Sequence, residues 1–205
     1  MTSPSLAARL SLIVGGVLIS IGGPMHPGGT MAEMLADPVW FTAHALVTAG
    51  FCGLLAGLEL LRRQSSVPAS VGRWLLLAVI VTAAQTIDMA VHTMAYVDGP
   101  ALVAGQSTPV LTTHLALTAV IYPLFGALLA IFIAIAGHTR VLGSNWVSWI
   151  GVLGCIGHGI AGPGTVLFEV PWARALFPTI VLVALWAILA GVWPAQRAAE
   201  ITETA

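Results

Sequence analysis

The chain alternates long apolar runs with short polar breaks, and the length of the runs decides how they are read. A bilayer span needs about 20 mostly apolar residues. Six stretches qualify, at roughly 7–23, 39–61, 73–97, 109–137, 146–165 and 173–193. The pattern predicts an all-α integral membrane protein, with a six-helix transmembrane bundle over residues 1–195 and a polar cytoplasmic tail over 196–205. Arg9 before an apolar run resembles the start of a secretory leader. The segment "SIGGPMHPGG" that follows offers no small-x-small cleavage site, so a retained helix is expected. In the fifth stretch Pro163 either ends the helix or kinks it.

Composition agrees. Of the 205 residues 58% are hydrophobic and 7% charged, against about 25% charged in a soluble domain. The net charge of −1 and the absence of lysine leave no basic patch for nucleic acid. Cys52 and Cys155 lie in apolar segments without a CxxC motif, which suits packing rather than redox chemistry.

Arginine placement orients the bundle. With six helices threaded, Arg9, Arg62, Arg63, Arg73, Arg140 and Arg197 fall on one side and only Arg174 on the other. By the positive-inside rule both termini are cytoplasmic. Trp40 and Trp172 then lie at the outer edges of their helices, where interfacial aromatics belong, and Glu59 reads as an inner-edge ion pair with Arg62 and Arg63.

Against this apolar background "TIDMAVHTMAY" (86–96) stands out, because ionisable residues inside a span are costly and usually functional. Gln85, Asp88, His92 and Tyr96 form one polar stripe on the third span. The threading places His92 at about the same outer depth as His44, His114 and His158, each about five residues from the outer end of its helix or from Pro163. His26 falls in the first outer loop and His138 on the cytoplasmic side. One intramembrane histidine is by default a packing residue; four at one level on consecutive helices point to a shared site. Asp88 enters it as a ligand, a proton acceptor or the group that holds the His92 ring.

Four further patterns bear on that site. "FTAHALVTA" (41–49) aligns without gaps on "LTTHLALTA" (111–119), which suggests a duplicated hairpin of helices 2–3 and 4–5. Thr48 and Thr118 lie one turn below His44 and His114, where each bonds either the imidazole or its own backbone. On the fifth span Gly151, Gly154, Cys155 and Gly162 flank His158, a face made for close helix packing or for the flat face of a porphyrin. Met25, Met31, Met34, Met89 and Met94 lie in the outer half, and "PMHPGGTMAEM" joins methionines to His26, a combination that suits Cu(I) as well as packing.

Three functional classes follow. The first is haem b held by histidines among His44, His92, His114 and His158, with Arg174 as the outer cation for propionates, serving electron transfer or a redox reaction with a membrane redox partner or quinone. The second is a transition-metal ion (zinc, copper or iron) held by the same histidines with Asp88, in a membrane enzyme or a metal-handling protein. The third is a cofactor-free accessory subunit or transporter. No HExxH motif or serine-protease elbow assigns a reaction.

Histidines on four successive helices of a six-helix protein resemble the b561-type cytochromes, a resemblance that implies paired axial histidines. It departs from that family in placing all four on one side, where the family has one haem near each face. "MHPGG" after the first helix and "WFTAH" opening the second resemble a group of uncharacterised actinobacterial multi-span membrane proteins. That likeness brings no activity; a bacterial plasma membrane is the expected location.

Overall fold

Backbone groups in an apolar environment must bond one another, so each long apolar run closes its own helical hydrogen bonds. The computed structural model describes residues 4–65 and 67–192, and these contain helices and no strand. The helices are α1 (Leu6–Gly22), α2 (Met31–Ala36), α3 (Val39–Arg62), α4 (Ala69–Met94), α5 (Gly99–Val103), α6 (Pro109–His138), α7 (Asn145–Val166) and α8 (Ile180–Val192). The tail expected over 196–205, with Arg197, lies outside the described residues.

Five segments are long and apolar enough to cross a membrane: Leu6–Met25, Val39–Arg62, Ala69–Val103, Pro109–His138 and Pro171–Val192. The sixth long helix, α7, has the length but dilutes its apolar content with glycine. Its exposed face nevertheless carries Trp146, Trp149, Leu153, Ile156 and Ile160, a stripe suited to lipid. Pro163 lies within α7 and does not end it. The last run differs from a single α-helix, since Pro171–Thr179 winds as a 3₁₀ helix before α8 begins.

The six long helices form a closed ring in chain order: α1 packs on α3, α3 on α4, α4 on α6, α6 on α7, α7 on α8, and α8 returns to α1. Arg9 locks that closure, donating from Nε and Nη2 to the carbonyls of Gly191 and Val192 at 2.7 and 3.1 Å. Two crossings depend on missing side chains. A Cβ on Gly53 would lie 2.8 Å from the Gly15 Cα between α1 and α3, and one on Gly126 would lie 2.8 Å from the Gly159 Cα between α6 and α7.

The two ends of the ring differ. Toward the end where α3 finishes, the interior is filled by Phe51, Leu54, Leu58, Phe125, Leu129 and Phe132, all fully buried. There Glu59 pairs with Arg62 at 2.6 Å and Arg63 at 2.8 Å, as expected from their spacing. The opposite end carries α2 and α5, which pack on each other. Thr30 and Glu33 cap α2 reciprocally, and the two bonds from Thr30 hold the Glu33 carboxyl below the usual carboxylate range. Asp98 accepts a hydrogen bond from the Leu111 N–H at 2.8 Å, satisfying one of the free donors where α6 begins. Leu35, Trp40, Ala95 and Leu111 make a small apolar core beneath this cap.

A candidate metal centre at the capped end of the ring

The centre begins with a loop. α1 ends in a 3₁₀ turn, Gly23–Met25, and the chain then passes through His26 and Pro27 before α2. This path carries His26 over the first turns of α3 and the last turns of α4. Its ring lies 4.8 Å from that of His44 and 6.2 Å from that of His92, with His44 and His92 4.4 Å apart. One ligating atom from each of the three lies within 4.8 Å of the others, so His26, His44 and His92 form a group that could hold a metal ion. His44 is 2% exposed, His92 is half-buried and His26 is exposed, so the group has a dry floor and an open rim.

Hydrogen bonds orient the rings. His44 Nδ1 lies 2.7 Å from the Trp40 carbonyl, one turn earlier on α3, and His26 Nδ1 lies 2.8 Å from the Pro27 carbonyl. A carbonyl only accepts, so each Nδ1 carries the proton and each Nε2 keeps a free lone pair. The His44 Nε2 and the His92 Nδ1 are buried and have no protein partner. A histidine tied back through one nitrogen, with the other unpaired, is the arrangement that supports metal ligation.

His114 lies directly beside the triad. Its ring stacks on His92 with centroids 3.8 Å apart, and its Nδ1 shares a hydrogen bond of 3.0 Å with the Asp88 carboxyl. Asp88 therefore holds His114 across the α4–α6 interface and not His92 on its own helix. Thr118 Oγ1 lies 3.3 Å from both nitrogens of His114, whereas Thr48 bonds across to α4, at the Met89 carbonyl (3.1 Å) and Thr93 (2.9 Å).

Two of the residues expected at the site lie elsewhere. His158 stacks on Tyr122 at 4.4 Å, with Phe125 and Phe177 edge-on. The glycine face beside it is occupied by neighbouring helices, with Gly154 against Val183, Gly151 against Trp186 and Gly162 against Tyr122. Close helix packing is what that face serves in this structure. Arg174 is exposed on the 3₁₀ segment before α8.

Two residues have a larger part than their sequence positions suggested. His26 was expected as an outer-loop residue, with a link to metal only through the methionines around it in "PMHPGGTMAEM" and not through the other histidines. Trp40 was expected as an interfacial aromatic. It is 1% exposed instead, with its ring 4.1, 5.1 and 5.6 Å from those of His44, His92 and His26.

Three neutral imidazoles suit zinc, copper, iron or nickel and leave a further coordination position open. No family model, curated protein or solved structure matches this chain.

Proposed function

We propose that this is a membrane-embedded metalloprotein in which His26, His44 and His92 bind one transition-metal ion at the outer face of a six-span bundle with both termini in the cytoplasm. The observation that carries it is the convergence of three ligating atoms within 4.8 Å from three separate segments of the chain. The unpaired nitrogens of His44 and His92 strengthen it, because an orphaned polar atom in an apolar interior costs free energy that a bound cation returns.

This reading favours an ion over haem. A porphyrin needs a flat slot between its axial ligands, and the 3.8 Å stack of His92 on His114 and the 4.4 Å approach of His44 to His92 leave no such slot. The three ligands with an open position, next to the His114–Asp88 pair, suit Lewis-acid chemistry on a small bound molecule.

Elemental analysis of protein purified without chelator tests the proposal. It expects close to one zinc, copper, iron or nickel per chain in the wild type, and near-complete loss in His44→Ala. Metal-free wild type that also fails to take up any of these ions when they are added contradicts it.

A further inference from the structure

A fourth ring stands among the three imidazoles. Trp40 opens α3 one turn before His44, and its indole packs against all three imidazoles. Its backbone already serves the centre, since the Trp40 carbonyl fixes the His44 tautomer. The indole Nε1–H, however, is fully buried and has no acceptor in the protein. A buried tryptophan N–H normally finds one, and each buried donor left without a partner calls for an explanation. Trp186 shares an unpartnered N–H, but it packs on Gly151 within the apolar core. Trp40 alone stands among ligating rings.

Resting on the metal-binding reading above, we propose that Trp40 makes the open coordination position a binding site for a small hydrogen-bond-accepting ligand. The class is a metal-bound hydroxide or a small anion, whose acceptor atom takes the indole N–H. The Nδ1 protons of His26 and His44 are spent on carbonyls, so the N–H donors left around the three rings are the indole of Trp40 and the ring of His92, whose Nδ1 has no partner. An indole held at 1% exposure supplies a donor without reorganising, which is how preorganised donors stabilise charge on a bound atom. The role is one of positioning and selectivity for what sits on the metal.

Azide titration of the full-length, Cu(II)-loaded protein, followed by its charge-transfer absorption, tests this. Trp40→Phe keeps the ring packing and the backbone carbonyl while removing the N–H. It is expected to load copper as the wild type does and to bind azide about 10- to 100-fold more weakly, the loss of one hydrogen bond to a charged acceptor. In a second measurement on Zn(II)-loaded wild type, the Trp40 indole N–H resonance is expected to move downfield on adding azide. That readout stands even if the variant folds poorly. Full copper loading with unchanged azide affinity, or an indole resonance that azide leaves unmoved, overturns the role of Trp40 and leaves the metal centre standing. Failure of the wild type to load copper or zinc overturns the metal centre, and this role falls with it.

Discussion

His44 carries two constraints at once: its Nδ1–H is tied to the Trp40 carbonyl, and its Nε2 is buried without a partner. That makes it the least replaceable of the three ligands. His44→Ala is expected to abolish metal retention, whereas His158→Ala, which removes a ring stacked on Tyr122, is expected to keep it and lose about 1–3 kcal/mol of stability. Metal analysis and thermal melting of both variants in the same detergent check the contrast. Protons compete for the same lone pairs. An imidazole ligates only when neutral, so retention should be full above the ordinary histidine range near about 6.5 and fall as pH drops below it. Stripping that appears instead on raising the pH from 6 to 8 would argue against imidazole ligands. At this scale the sequence announced His44, His92 and His114 through the cost of polar groups in a span. It joined His26 only to the loop methionines and could not bring it to His44 and His92, which depends on the path of a loop, nor show that Trp40, placed at a bilayer edge, packs among the rings.

Helix α4 turns most of its polar stripe inward: Gln85 and Asp88 are fully buried and His92 belongs to the triad, whereas Tyr96, in the 3₁₀ turn past the end of α4, is 38% exposed. Asp88 acts through α6 by holding His114, so Asp88→Asn should loosen the α4–α6 contact and lower the melting temperature. Glu59→Gln, which alters an ion pair at the partly exposed edge of the ring, should change it far less. Equal effects of the two substitutions would place Asp88 outside any structural role at the centre. The α6–α7 crossing gives a second check. Gly126→Val forces a side chain against Gly159 and should cost about 1–3 kcal/mol or prevent assembly, read by melting or by yield of monodisperse protein. The elements were legible because apolar run length maps directly onto span length: the stretch expected at 39–61 is α3 at Val39–Arg62. The common level of His44, His92 and His114 was legible too, since position along the axis grows linearly with residue number and their rings do meet. Rotation about the axis was not. His158 shares the depth assigned to the other histidines but faces Tyr122, because the glycines of α7 set which side meets α6 and α8.

The whole molecule is a ring closed from first helix to last by Arg9, apolar and filled at one end, capped and polar at the other. The proposed orientation puts the filled end in the cytoplasm and the histidines outside, as the arginine distribution requires. A reporter that is active only in the cytoplasm, fused after Ala205, should therefore be active; one active only outside should be silent, and the reverse pattern would invert the topology. The possible duplication of hairpins finds a mixed counterpart here: His44 and His114 both lie at the centre, while His92 joins it and His158 does not. If three imidazoles from the first loop, α3 and α4 bind one ion, X-ray absorption on the metal-loaded protein should find them in its coordination shell. Three imidazole nitrogens at about 2.0–2.1 Å are expected for zinc, falling to two in His26→Ala. A coordination shell without imidazole scattering, or one that the His26 substitution leaves unchanged, would contradict this expectation.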